Sequence, residues 1–428
     1  MARPSFGFLK AGAVYTAANV LAAGVPFLLL PVLTRALDPQ QYGQVVAFFM
    51  LVTVCSSAAG LGLHSAVAVR WLDSGSEPRR YTGSAIALAV ASTAVTAAAA
   101  AIAGAILDLG LGPAWCALAA VAAGTTTLQG MRFAVWQCTE RAVPAATLQV
   151  VAAMLNIGLS LLAVFVLDLG GAGRILGAVA AGIGIAVLSV YLLAGERAAA
   201  RPSRADIKSL LRFGLPLMPH ALGGSLLASA DRFAVSASLG AAALGIYGSA
   251  YQLGMVINVL GDAVIKAYSP TMYRLLGRNS TRSRLRVVAL FYLCIPFWLI
   301  AALLLWLFFE ATGSLLLGRE YLEAIDLSIW FLCGAAFSAM YLNIAGLFFF
   351  TGKTEWLSLA TGSAALLALS LAPRAVERFG VQGGALTYLL VQLALLAAAW
   401  ALSTQVYPMP WRRPTLAVRL LLRPIVRM

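Results

Sequence analysis

The stretch "FGLPLMPHALGGSLLASADRF", residues 213–233, combines a long apolar run with groups that such runs seldom hold. It contains two prolines, one of the two histidines of the chain, and an adjacent acid and base at Asp231 and Arg232. Prolines are tolerated in membrane helices, and ionisable side chains inside them tend to face a cavity. The stretch therefore predicts a bent membrane helix whose polar groups are turned toward a cavity.

The composition of the whole chain supports a membrane location. Of its 428 residues 61% are hydrophobic and only 11% are charged, whereas a soluble domain carries about 25% charged residues. The apolar runs are far longer than the strands of a membrane barrel and do not alternate, which excludes a closed barrel. The predicted fold class is an all-α polytopic membrane protein.

Charges, prolines and glycines interrupt the apolar sequence at intervals that predict twelve membrane-spanning helices. The spans are predicted near residues 12–36, 43–67, 82–107, 114–136, 145–167, 174–194, 210–238, 244–269, 287–309, 323–350, 355–373 and 382–404. The most polar connection, residues 195–214, separates six spans from six. Two halves of six spans would have the same orientation in the membrane.

This spacing predicts three regions of the chain. An N-terminal six-helix lobe occupies residues 1–200, a C-terminal six-helix lobe occupies 201–408, and a basic tail occupies 409–428. In the tail, arginines recur every four residues between leucines, which is typical of an amphipathic helix on an anionic inner leaflet. A disordered basic tail is the alternative.

The positive charges predict the orientation of the spans. With both termini assigned to the cytoplasm, most of the 30 basic residues fall in the inside connections, as the positive-inside rule requires. An acidic cluster around Glu310 to Asp326 falls outside. The net charge of +14 is thus explained by topology, and no nucleic-acid partner is predicted.

Three patches of the sequence carry a family resemblance. They are "FGLPLMPHALGGSLLASADRFAVSASLGAAALGIYGSAYQLG" (213–254), "LPVLTRALDPQQYGQVVAF" (30–48) and "GLGLHSAVAVR" (60–70). They resemble the polysaccharide-lipid flippases, the Wzx-type O-antigen and exopolysaccharide transporters of the multidrug/oligosaccharidyl-lipid/polysaccharide (MOP) superfamily. The eleventh and twelfth spans match the pattern of that family only loosely.

The resemblance implies two six-helix lobes around a central cavity that opens alternately to each side of the bacterial plasma membrane. It implies an undecaprenyl-diphosphate-linked oligosaccharide as substrate, moved from the inner to the outer leaflet for lipopolysaccharide O-antigen or exopolysaccharide assembly. Membrane lipids, H⁺ or Na⁺ and a polysaccharide polymerase machinery are the further partners that it implies.

Five side chains are candidates for binding the diphosphate, because arginine in particular can bind phosphate oxygens through its planar fork. They are Arg35, Arg70, Arg232, Lys266 and His220. Each has a plainer alternative. Arg35 and Arg232 can extend to the outer interface, Arg70 can serve only as a topology charge, and His220 can be a neutral, hydrogen-bonded histidine.

Two carboxylates, Asp231 and Asp262, are candidates for coupling transport to H⁺ or Na⁺, and His220 is a third group able to bind a proton. Asp231 can instead neutralise Arg232. Asp262 precedes Lys266 by four residues, the favourable order for an ion pair on one helix face. A purely structural pair is the alternative there.

Two other functions are alternatives to flipping. A drug or small-cation exporter of the same superfamily should have a cavity that favours carboxylates over arginine. A membrane-bound glycan polymerase or ligase needs a large external loop, and no DxD, HExxH or serine-nucleophile motif stands in a suitable place. For these reasons no enzyme activity is predicted. The five cysteines lack metal-ligand spacing, so no metal or cofactor is predicted either.

Overall fold

The computed structural model describes residue 22 and residues 24–73, 78–107, 110–195 and 202–412. These residues are almost entirely helical and contain no strand. Eight of their helices are long and apolar enough to cross a membrane. The predicted all-α polytopic fold is confirmed, while the beginning of the first span and most of the basic tail lie outside the described residues.

Twelve α-helices are numbered here in chain order over the described residues. They are α1 (Gly24–Ala36), α2 (Pro39–Gly60), α3 (Leu63–Leu72), α4 (Pro78–Ile106), α5 (Pro113–Cys138), α6 (Ala142–Leu161), α7 (Gly170–Leu193), α8 (Arg204–Leu227), α9 (Ala230–Gly277), α10 (Thr281–Leu316), α11 (Glu323–Thr351) and α12 (Thr354–Val406). A π-helical turn, Leu162–Val166, extends α6, and a 3₁₀ turn, Arg319–Tyr321, precedes α11.

Two of these helices cross a boundary between predicted spans: α9 contains the end of the seventh span and the eighth, and α12 contains the eleventh and the twelfth. The backbone of α9 is non-helical at Gly240, with φ 81°, and that of α12 is non-helical at Gly380, with φ 60°. Glycine adopts positive φ at little cost because it lacks a Cβ. The breaks at Gly240 and Gly380 therefore separate the seventh from the eighth span and the eleventh from the twelfth.

The predicted seventh span, residues 210–238, is not a single helix. The backbone N–H groups of Ala228 and Ser229 donate to the carbonyls of Gly224 and Leu226, which ends α8 in a tight turn before α9 begins. No proline or polar run marks this turn in the sequence, which is why the segment was predicted to be continuous. The second span is likewise divided, at Leu61 and Gly62, which both have positive φ.

The chain forms two compact units, Met1–Gly248 and Ser249–Met428. In the first, α2, α4, α5 and α7 pack together, and α8 packs on α2, α3 and α4. In the second, α11 lies between α10 and α12 and is the most buried candidate span. The predicted lobe boundary at residue 200 stays a prediction; the division into compact units falls between Gly248 and Ser249.

Inside the first unit, α2 and the second segment of α9 approach with their backbones in contact. A Cβ at Gly43 would overlap the carbonyl oxygen of Ala241, and a Cβ at Gly245 would overlap the carbonyl oxygen of Pro39. Only glycine fits at both positions. This close approach fixes the α9 segment that carries Tyr247 against the start of α2.

Candidate functional site

A buried carboxylate lies in the first turn of α9. Asp231 is only 4% exposed, and one of its oxygens, Oδ2, accepts a hydrogen bond of 2.6 Å from the hydroxyl of Tyr247. Sixteen residues of straight helix would span about 24 Å. The contact therefore requires the chain to fold back at Gly240, and the break in α9 is what brings these two side chains together.

The guanidinium of Arg232 lies beside the same carboxylate. Its Nε is 3.8 Å from Oδ1 of Asp231, and the Arg232 side chain is only 14% exposed. A buried charge is tolerated when it is paired and hydrogen-bonded. Asp231, Arg232 and Tyr247, called the α9 triad below, thus form a polar group in which the carboxylate has both a cationic neighbour and a hydroxyl donor.

The Lys266–Asp262 pair belongs to the second unit. The Lys266 ammonium lies 2.5 Å from Oδ2 of Asp262, and both side chains are about half exposed. The structure thus places the two residues on one helix face, as their spacing predicts. The ammonium and the carboxylate are both accessible from outside the helix.

The other three predicted residues lie apart along the chain. Arg35 is exposed at the end of α1, where its Nη1 donates to the carbonyl of Pro31 at 2.8 Å. Arg70 lies in the last turn of α3, 3.7 Å from Asp73 and 5.2 Å from the ring centre of Tyr81. These contacts of Arg70 favour the topology-charge alternative.

His220 is exposed in α8, one residue after Pro219. Both prolines of the opening stretch lie inside this helix, where each one removes a backbone donor. The structure therefore places His220 in the part of α8 whose hydrogen-bonded backbone is incomplete.

Two further arginines, which the sequence analysis did not select as site residues, are buried. Arg174 is 6% exposed in α7, and its Nη1 donates to Oδ1 of Asn156 at 3.0 Å and to Oγ of Ser160 at 2.7 Å. Arg132 is 2% exposed in α5 and lies 3.9 Å from the ring centre of Trp136. The signal that could have found Arg174 was its position inside a glycine-rich apolar span, since ionisable residues there are seldom accidental.

A cavity of about 360 Å³ lies where the α1–α2 connection approaches the π-helical end of α6. Its lining includes Gln41, Phe165 and Asp168 and none of the predicted site residues. Among the described residues, no three histidine, cysteine, aspartate or glutamate side chains gather where they could hold a metal ion.

Eight long apolar helices among the described residues define a multi-pass membrane protein. The family model described as "Polysaccharide biosynthesis protein" matches residues 8–276. The chain belongs to this family and thus to the MOP superfamily, which confirms the resemblance seen in the sequence. This membership supports a membrane transporter rather than an enzyme.

Solved structures of multidrug resistance MATE family transporters of the MOP superfamily share the fold. An inward-facing one has a TM-score of 0.66 at 14% identity, covering 95% of this chain and 96% of that one. An outward-facing one has a TM-score of 0.59 at 17% identity, covering 97% of each chain. At these identities the likeness shows the fold alone.

Two curated proteins of Haemophilus influenzae (strain ATCC 51907 / DSM 11121 / KW20 / Rd) are similar in sequence. "Lsg locus putative protein 1" is 30% identical over 151 residues, which is 35% of this chain and 37% of that relative. The match thus spans little more than a third of that relative. An "Uncharacterized membrane protein" is 24% identical over 373 residues, which is 82% of this chain and 86% of that protein.

Proposed function

We propose that this transporter flips an undecaprenyl-diphosphate-linked oligosaccharide from the inner to the outer leaflet of the bacterial plasma membrane. The observation that carries the proposal is that a chain of a polysaccharide biosynthesis family has the fold of a membrane transporter. A glycan built on a lipid inside the cell must cross the membrane before a surface polysaccharide can be assembled from it. O-antigen or another exopolysaccharide is the expected product.

The α9 triad supplies the chemistry that this substrate needs. A diphosphate needs cationic donors in place of water, and the Arg232 guanidinium lies beside Asp231 with its Nε 3.8 Å from Oδ1. When the diphosphate pairs with the Arg232 guanidinium, the Asp231 carboxylate loses its cationic neighbour but keeps its hydrogen bond from the Tyr247 hydroxyl. A carboxylate in that condition has a higher affinity for H⁺ or Na⁺. Substrate binding and ion binding are thereby coupled at adjacent residues.

Lys266 and Asp262 form a second pair of the same composition in the other unit. Both side chains are half exposed. The Lys266 ammonium can therefore leave Asp262 and bind a phosphate oxygen without any rearrangement of the helix. Arg35 and His220 are exposed and are available for further contacts with phosphate or sugar groups. Arg70 already lies beside Asp73 and Tyr81, so we expect it to contribute least to substrate binding.

A multidrug or small-cation exporter is the second candidate function, favoured by the multidrug transporters among the similar structures. A cationic substrate needs a carboxylate that is free to pair with it. Asp231 already has Tyr247 and Arg232 as neighbours, and Asp262 is paired with Lys266. The ionic groups therefore support the anionic substrate better.

The test is transport by the purified protein in proteoliposomes. We expect a fluorescent undecaprenyl-diphosphate oligosaccharide to change leaflets at least about ten-fold faster than in protein-free vesicles, and a lipophilic cationic dye to show no acceleration. The same vesicles, with an imposed pH gradient, sodium gradient or potential applied singly, identify the coupling ion. Acceleration of the dye alone would support the exporter and contradict the flippase.

The orientation of the spans gives a second prediction. In a cysteine-free background, Arg79→Cys and Pro202→Cys should resist an impermeant thiol reagent in intact cells, whereas Glu320→Cys should react. The reason is that basic connections stay on the cytoplasmic side. Permeabilised cells, in which all three positions should react, provide the control. The reverse labelling pattern would overturn the predicted orientation with both termini inside.

A further inference from the structure

The connection from α9 to α10 carries an arginine cluster that the proposed transport does not use. The cluster, called the arginine corner below, consists of Arg274, Arg278, Arg282, Arg284 and Arg286. No acidic residue occurs between positions 262 and 310 of the sequence. No carboxylate in this part of the sequence therefore neutralises the arginine corner.

Two members of the corner are held by the protein. The Arg284 guanidinium donates to Oδ1 of Asn279 and, at 3.2 Å, to the carbonyl of Pro408, and it lies 5.0 Å from the ring centre of Tyr407. Arg274 donates to the hydroxyl of Thr271 at 3.0 Å. These contacts fix the corner against the end of α12.

The side chains of the other three, Arg278, Arg282 and Arg286, make no hydrogen bond or ion pair with any residue that the structure describes. Arg278 and Arg282 are exposed, and Arg286 is half-buried. Arg282 and Arg286 stand one helical turn apart, where like charges repel, and the positive end of the α10 dipole adds to that repulsion. An anion bound between them would relieve both.

An exposed apolar stripe continues from these arginines along α10. Leu293, Phe297, Ile300, Leu304 and Leu307 follow one another at intervals of four and three residues, which places them on one helix face, and each is 43–60% exposed. Arg286 precedes Leu293 by seven residues and Arg282 precedes Arg286 by four, so both belong to the same face. The stripe has no polar side chain and is suited to acyl chains.

The dimensions of α10 agree with a lipid-facing stripe. From Leu293 to Leu307 the stripe rises about 21 Å, which fits within the hydrocarbon thickness of about 30 Å. Arg286 then lies about 10 Å before the first residue of the stripe, at headgroup depth. Tyr292, Trp400 and Trp411 cluster at this end of the unit, and such rings are enriched at the membrane interface.

We propose that Arg278, Arg282 and Arg286 bind the phosphate groups of anionic phospholipids whose acyl chains lie on the α10 stripe. The bulk phospholipid fits better than the transported lipid, because a stripe without polar groups offers nothing to the sugars of a glycolipid. The arginine forks hold the phosphates, and the site anchors the second unit at one depth in the membrane.

The test is native mass spectrometry of the full-length protein titrated with phosphatidylglycerol or phosphatidylcholine. A triple variant, Arg278→Gln/Arg282→Gln/Arg286→Gln, is compared with Arg79→Gln/Arg204→Gln/Arg212→Gln, which removes three other exposed arginines on the predicted inner side. Each interfacial arginine contributes about five-fold in affinity. We expect phosphatidylglycerol to bind the first triple variant at least about ten-fold more weakly, with the control triple close to the wild type.

Three results would overturn the proposal. They are an equal loss in both triple variants, wild-type affinity in the first one, and complete displacement of phosphatidylglycerol by an equimolar polyprenyl diphosphate. Such displacement would show that the arginine corner binds the transported lipid. If the first triple variant does not fold, the single variants Arg282→Gln, at an exposed position, and Arg286→Gln, at a half-buried one, are measured instead, with an expected loss of about five-fold each.

Discussion

Replacing Gly245 with valine should leave little folded protein in the membrane. The new Cβ would overlap the carbonyl oxygen of Pro39, and Gly43 on α2 offers no side chain that could move aside. Overpacking a well-packed site costs about 1–3 kcal/mol even when side chains can adjust. Here the obstacle is backbone, so we expect the upper end of this range or more, measured as a loss of monodisperse protein and a lower Tm in detergent.

The matched control is Gly362→Val in α12. Gly362 has no neighbouring atom within 4 Å of the position that its Cβ would occupy, and its φ is not positive. We expect this variant to keep the yield and the Tm of the wild type. Gly245→Ala should fall between the two. A wild-type Tm for Gly245→Val would show that α9 does not rest on α2 as closely as the structure places it.

The regular elements were predictable because hydrophobic length and local charge determine them. The Asp262–Lys266 pair follows from helical periodicity alone, because four residues bring two side chains onto one face. Apolar runs, with glycines and charges between them, likewise predicted the long helices. These are local properties, and a sequence contains them directly.

The α9 triad was only half predictable. The Asp231–Arg232 pair is adjacent in sequence, but its third member, Tyr247, reaches Asp231 only because the chain folds back at Gly240. Arg174 was missed for a similar reason. Its burial depends on Asn156 and Ser160, which lie on another helix, and charge counting places an arginine near a span boundary at the surface. Such contacts depend on tertiary packing, which no local pattern encodes.

Replacing Arg232 with alanine should reduce flipping of the lipid-linked oligosaccharide by about ten- to a hundred-fold, while the protein level stays normal. A hydrogen bond to a charged group contributes about 1.5–3 kcal/mol, and the proposed diphosphate contact at α9 depends on the Arg232 guanidinium. Arg232→Lys should recover only part of the activity, because lysine keeps the charge and loses the bidentate geometry. Flipping is measured in proteoliposomes, with Arg378→Ala, an exposed arginine outside the triad, as the control.

The same assay separates substrate binding from ion coupling at the triad. Asp231→Asn keeps the shape of the side chain and an oxygen that can accept from Tyr247, but it removes the charge that would bind H⁺ or Na⁺. We expect this variant to retain substrate binding and to lose its response to the coupling gradient, and Tyr247→Phe to weaken that response less.

Full flipping by Arg232→Ala would remove Arg232 from the substrate site. Wild-type transport that follows the membrane potential and ignores both ion gradients would remove Asp231, Asp262 and His220 from coupling, because the potential alone assists the outward movement of an anion by about 2.3 kcal/mol per charge per 100 mV.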